Sequence, residues 1–308
     1  MTDSAVSRVQ PSDDFLRRRR RVDLLMRGIF FVAAFVSVFV TVGIVYVLVS
    51  ESLTFFDNVS IFDFLTGTRW TPLFASAHFG VLPLLSATLT VSVVALAVAI
   101  PGGILVAIYL SEFAPERVRE VIKPVLELLE GVPTVVYGYF ALLFVSPLLQ
   151  TFIPGLGGFN LLAPGLVMGF MILPYITSVS EDAMRAVPQS LREGGHALGF
   201  NRFQTAARVV IPGALSGITA ACILGMSRAV GETMVVAIAA GQRAQLTFNP
   251  MDAAATIPAY IVQVSLGDVP HGSIAYQTIF AAGLTLFVLT LIFNVIGFVL
   301  RRRYREEY

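Results

Sequence analysis

Hydrophobic residues in this chain gather into long runs, not into the two- or 3.6-residue rhythms of half-buried strands and helices. Six runs approach the ~20 apolar residues needed to cross the hydrocarbon core of a bilayer. They are residues 28–50, 82–110, 125–149, 161–180, 213–241 and 274–300. The third and fourth carry Pro133, Pro147, Pro164 and Pro174, which inside a helix bundle mark kinks or ends without disqualifying the span. The pattern predicts an all-α integral membrane protein with six transmembrane helices. Of the connections, residues 51–81 are long and hold Trp70, Pro72, Phe74 and Phe79, a mixture suited to a membrane interface. Residues 151–160 read as a tight Gly/Pro turn. Within 242–277, a short apolar stretch at 251–266 is expected to lie against the bundle or in the interface. No tandem repeat is visible, and no connection is long enough for a separate soluble domain.

Composition agrees with the pattern. Of 308 residues, 56% are hydrophobic and only 13% charged, about half the charged share of an ordinary soluble domain. Cys222 is the single cysteine, so no internal disulfide and no cysteine metal cluster can form. His78, His196 and His271 are scattered with no ligand-like spacing.

Charge is segregated, and lysine and arginine set orientation. Arg8, Arg17 through Arg21 and Arg27 precede the first run; Arg117, Arg119 and Lys123 follow the second. Arg185, Arg192, Arg202 and Arg208 lie between the fourth and fifth, and Arg301, Arg302, Arg303 and Arg305 close the chain. Arg69 and Arg243 alone fall on the other side. Both termini are therefore expected in the cytoplasm. The first run is too long for a signal's apolar region and has no small-residue cleavage site, so it reads as an uncleaved span. The expected organisation is an arginine-rich head at 1–27, a transmembrane domain at 28–300 and a tail at 301–308.

One cation lies inside the fifth run. Arg228 falls near its middle, in Gly-Met-Ser-Arg-Ala-Val-Gly-Glu-Thr-Met at 225–234. A charge at that depth costs ~2.5–3.5 kcal/mol on insertion scales, so it points to a task. Glu232 follows four residues later, which on a continuous helix puts both side chains on one face. A guanidinium offers a planar fork of donors matched to an oxyanion, and Glu232 would neutralise it between substrates. A packing ion pair is the structural alternative. Thr134 could donate to a substrate or serve as a helix cap. Glu127 and Glu130 read as a membrane-surface face or a subunit contact, and Glu181 and Asp182 as solvated helix ends.

The connection between the fourth and fifth runs holds Glu193-Gly194-Gly195, Gly199, then Val209, Ile211 and Pro212. Its polarity predicts a short amphipathic helix, a break at 199–201, and a second helix from Arg202 to Pro212-Gly213, forming an elbow. Phe200 and Phe203 would stand exposed there unless something receives them. This spacing resembles the Glu-Ala-Ala, three residues, Gly, nine residues, Ile-x-Leu-Pro signature of ABC importer permeases, with glycines in place of the two alanines and Val and Ile in place of Ile and Leu. The stretches at 70–72, 79–89, 109–115, 127–138 and 228–234 narrow the resemblance to PstC-type permeases of phosphate importers, over most of residues 70–240.

That resemblance implies the type I ABC importer permease fold in a bacterial plasma (inner) membrane. It implies a paralogous PstA-type permease, two copies of a PstB-type ATPase, an extracytoplasmic phosphate-binding protein and inorganic phosphate as partners, beside membrane lipid and without nucleic acid. Arg228 and Glu232 would serve phosphate passage, and a carboxylate there would admit protonated phosphate while repelling sulfate. Glu193, Gly194, Gly195, Gly199, Phe200 and Pro212 would form the elbow that docks on the ATPase. ATP and magnesium would bind that partner, because this chain has no Gly-x-x-x-x-Gly-Lys-Ser/Thr loop and no nucleophile–base grouping of its own. The rival readings are a permease for another oxyanion and a gradient-driven secondary anion transporter with Glu232 as proton site.

Overall fold

A computed structural model describes the backbone of residues 13–303 and the side chains of residues 19–299. The expectations for residues 1–12 and 304–308, and for the side chains of Arg17, Arg18 and Arg301 through Arg303, lie outside the described residues. The chain divides into two compact units, Met1–Ser50 and Glu51–Tyr308. The described part of the first is one helix, and its apolar side chains, from Leu24 through Phe39 to Tyr46, are exposed.

Every described element is helical apart from one isolated bridge, Trp70 to Phe79. In chain order the helices are α1 (Asp13–Phe56), α2 (Ile61–Thr66), α3 (Leu82–Ile108), α4 (Glu116–Glu130), α5 (Thr134–Phe140), α6 (Ser146–Phe152) and α7 (Leu162–Arg185). Then come α8 (Gln189–Ala197), α9 (Arg202–Thr205), α10 (Ile211–Gly213), α11 (Leu215–Gly231), α12 (Met234–Ala239), α13 (Ile257–Ser265) and α14 (Ile274–Arg303). Short π-helical segments extend α3 (Tyr109–Phe113), join α5 to α6 (Ala141–Val145) and join α9 to α10 (Ala206–Val210). Among the described residues, five helical stretches are long and apolar enough to cross a membrane, or six if Arg202–Gly213 and Leu215–Gly231, bent by 70°, count as one span.

Two of the six expected spans are corrected. The third begins at Thr134, not at 125. Gly131 and Pro133 interrupt the run, since proline has no amide for the helix ladder and drives the preceding residue to extended geometry. The residues before the break form α4, a separate amphipathic helix studded with charge from Glu116 to Glu130. The fifth run is also broken: α11 stops at Gly231, Glu232 is extended (φ −65°, ψ 130°), and α12 starts afresh at Met234.

Helix α7 is the axis of the second unit. It packs along α3, α11 and α4, and Val167, Met168, Met171, Ile172 and Ile176 are buried on it. Close approach to α3 depends on small residues: a Cβ at Gly169 would lie 2.8 Å from the Ala95 carbonyl oxygen. Thr177 Oγ1 adds a cross-helix hydrogen bond to the Gly103 carbonyl at 3.1 Å. The start of α7 is fixed by buried Asn160, whose Oδ1 accepts from the Ala163 amide at 2.7 Å.

At the other end of α3, the 51–81 connection folds inward. Trp70 is 3% exposed, packed edge-on against Phe64 and Tyr260 with ring centroids 6.1 and 5.1 Å away. The expected interfacial role for Trp70 gives way to a core one, because α2 and α13 bring a second aromatic cluster over it. Helix α13, inside the expected 251–266 stretch, lies against α12, α14 and α3.

Candidate functional site

The elbow follows its expected boundaries closely. Helix α8 ends at Ala197, Gly199 takes φ +83°, and Asn201 opens α9 with a reciprocal capping box. Its side chain accepts from the Gln204 amide at 2.8 Å, and Gln204 Oε1 accepts from the Asn201 amide at 3.0 Å. Positive φ at the bend is the one geometry there that a Cβ would strain. Glu193 and Gly194 are exposed on α8, whereas Gly195 is buried with Thr205 and Val209 within ordinary contact of its missing Cβ. Phe200 is half-buried beneath the Arg208 guanidinium, 5.5 Å from the ring centroid, while Phe203 and Leu198 stand 70% and 78% exposed at the tip. Pro212 sits in α10, directly after the π-helical segment Ala206–Val210.

Two side chains that the sequence did not single out fasten this elbow to the spans. Arg192 of α8 pairs with Glu112 in the π-helical extension of α3 at 3.1 Å and donates to the Met184 carbonyl of α7 at 2.7 Å. Both members of the pair are mostly buried.

Arg228 lies in the last turn of α11, one residue turn before the break. Its guanidinium stacks over Tyr175 of α7, 5.8 Å from the ring centroid, a cation–π geometry. Glu232 does not share a helix face with it, contrary to the expectation from spacing. No ion pair within 4.0 Å joins the two. Glu232 Oε1 instead accepts from the amides of Met234 and Val235, at 3.1 and 3.4 Å, and so caps α12. The physical reason is local: a carboxylate at a fresh helix start meets unpaired N–H groups and a favourable dipole. Among the described residues no side chain or carbonyl hydrogen-bonds the Arg228 guanidinium, and its donor fork is left for another acceptor.

Charge on α4 also lies within electrostatic range of Arg228. The Arg228 cation acts electrostatically on Glu130 and on Tyr137. Burial pushes the Glu130 carboxyl above the usual range, with the Glu127 charge adding to the rise and Arg228 opposing it. Tyr137 donates its hydroxyl to the Leu129 carbonyl at 2.9 Å, which holds the first turn of α5 against the end of α4. Thr134 is the first residue of α5, not its cap, which is Pro133; its hydroxyl is half-buried and makes no hydrogen bond. It shares a face with Tyr137, three residues on. Helix α5 packs on α12, where a Cβ at Gly138 would meet the Met234 carbonyl oxygen at 3.1 Å. Glu130 was legible only as a surface charge, because nothing in its local sequence states that the fold brings it within electrostatic range of Arg228.

Glu181 is the other correction. It is 1% exposed, not a solvated end, and pairs with Arg119 and Lys123 of α4 at 2.9 Å each. Asp182, exposed, shares Lys123 at 2.6 Å. Burial pulls the Lys123 ammonium down, but hydrogen bonds to Asp182 and Glu181 carry it above the ordinary lysine range.

Known proteins with related sequences and folds fit this geometry. The chain is 37% identical over 280 residues to a probable ABC transporter permease protein, YqgH, of Bacillus subtilis, covering 90% of each. It is 34% identical over 261 residues to the phosphate transport system permease protein PstC of Mesorhizobium japonicum, covering 78% of this chain and 79% of that one. In fold it matches a bacterial ABC transporter involved in import of the acidic polysaccharide alginate, with a TM-score of 0.64 and 17% identity over 94% of this chain and 99% of the other. It also matches the MetNI methionine ABC transporter, at 0.55 and 18% over 74% and 95%. The helices, the elbow and these relatives together describe a multi-pass membrane protein with the type I ABC importer permease fold. Residues 99–306 match the binding-protein-dependent transport system inner membrane component family, and this chain belongs to it.

Proposed function

We propose that this chain is the PstC-type permease subunit of an ATP-driven phosphate importer in a bacterial inner membrane, with both termini in the cytoplasm. A permease of this family works in general with a second permease, an ATPase and a binding protein. Here the partners would be a PstA-type permease, two copies of a PstB-type ATPase that bind ATP and magnesium, and an extracytoplasmic phosphate-binding protein. The observation that carries the reading is the unpaired guanidinium fork of Arg228, held over Tyr175 at a break between two helices of a family member whose relatives include phosphate permeases. A fork of that shape binds two oxygens of a tetrahedral oxyanion. Glu232, at that break, and Thr134, at the start of α5, are the candidates for orienting it.

In this mechanism ATP closes the paired ATPases against the elbow at 189–213. The elbow tilts the spans about the Gly199 bend, the pathway turns outward, and phosphate delivered by the binding protein meets Arg228. The test is phosphate uptake by cells carrying Arg228→Lys and Arg228→Gln, with assembly scored by co-purification of the ATPase. Uptake lost with assembly intact supports the reading; uptake retained in Arg228→Gln sinks it.

A further inference from the structure

We infer that Glu181 is a positioning residue that carries movement of the elbow to Arg228 by way of α4. The inference rests on the import function proposed above and adds the route by which force reaches the pathway. Four contacts form the route. Arg192 of the elbow grips the end of α7 through the Met184 carbonyl. Glu181 lies one turn earlier on α7, on the same side of the helix as residues 184 and 185. Its carboxylate holds Arg119 and Lys123, one turn apart on α4, each at 2.9 Å. The far end of α4 is Glu130, which lies within electrostatic reach of Arg228, and past the Pro133 break comes α5, packed on α12.

Packing alone does not account for this clasp. The exposed apolar side chains of α4, such as Val121 and Leu128, show that it does not anchor itself in this unit by hydrophobic burial. The buried Glu181 carboxylate faces Arg119 and Lys123 of α4 and, at 3.9 Å, Arg185 of its own helix, so it adds an ionic tie between α7 and α4 to the packing of the two helices. Connected ionic and packed elements of this kind transmit coupling free energy between sites.

The experiment uses the full complex in proteoliposomes with the binding protein, labelled phosphate and ATP. Absence of ATP-dependent uptake by the wild type would fail the import reading itself. Glu181→Gln is expected to co-purify with the ATPase and keep hydrolysis within about twofold, while uptake falls about tenfold, the scale of coupling networks. Asp182→Asn, which leaves both Glu181 pairs in place, should transport normally. A spin label at Leu128→Cys, in a Cys222→Ser background, should shift on ATP binding with Glu181 present and stay still in Glu181→Gln. Should Glu181→Gln fail to assemble, the double variant Arg119→Gln, Lys123→Gln removes the clasp from its part-exposed side and should uncouple in the same way. Normal uptake in Glu181→Gln or the double variant, uptake and hydrolysis falling together, or loss of assembly in both variants overturns the inference.

Discussion

Glu112 and Arg192 meet at 3.1 Å across the boundary between the second span and the elbow, each mostly out of solvent. The pair fastens α8 to the end of α3, just where that helix loosens into a π turn, a feature common at functional sites. Removing one partner strands the other charge in a poorly solvated site. Arg192→Ala, which also loses the bond to Met184, should cost about 2–3 kcal/mol. Thermal unfolding in detergent of Glu112→Gln, Arg192→Gln and the double variant should give a coupling energy of about 1–2 kcal/mol; additivity would show the contact to be idle.

The glycines of the elbow separate by geometry. Gly199 has φ +83° and open space around it, so Gly199→Ala should destabilise by about 1 kcal/mol through backbone strain alone. Gly194 and Gly195 lie in α8 with open space or ordinary contact at their missing Cβ atoms. Alanine at either should stabilise by about 0.5–1 kcal/mol. Unfolding midpoints of the three variants are the check, and equal shifts would remove the distinction.

Glu232 can be read apart from its charge. Glutamine keeps an oxygen for the Met234 and Val235 amides, so Glu232→Gln should hold the start of α12 with a change under about 1 kcal/mol, whereas Glu232→Ala should lose about 1 kcal/mol. With the cap kept, uptake reports the charge alone. Phosphate uptake by Glu232→Gln should persist while sulfate uptake rises; no gain in sulfate ends the idea that this carboxylate excludes it.

Glu130 predicts a pH effect of defined sign. Its carboxyl is raised in the folded chain by burial and by Glu127, so the native state holds its proton to higher pH than the unfolded one. Stability from this group is therefore full below the unfolded carboxyl range and is lost as pH rises through the folded value. Glu130→Gln should flatten that fall and unfold at a higher temperature than wild type at neutral pH, read by melts between about pH 4 and 7. An unchanged profile would place Glu130 in open solvent.

The chain alone determined a good deal. Unbroken apolar runs state how many helices can cross a bilayer, because hydrocarbon demands that backbone groups pair within each helix. The elbow's break at 199–201 and the start of its second helix at Arg202 were legible, since a glycine bend is local chemistry; the Asn201 to Gln204 box that opens that helix was not singled out. Breaks at Pro133 and Gly231 were not, as apolarity on both sides disguised two short helices as parts of long ones. Once α11 ends at Gly231, the four-residue spacing of Arg228 and Glu232 ceases to mean a shared face. Only the tertiary structure decided which charges meet: Glu232 turns to backbone amides beside it, Glu130 of α4 comes within electrostatic range of Arg228, and Glu181 is buried between Arg119 and Lys123. Spacing along one helix fixes neighbours only while that helix continues; charges on different helices find each other through packing, which no local pattern encodes.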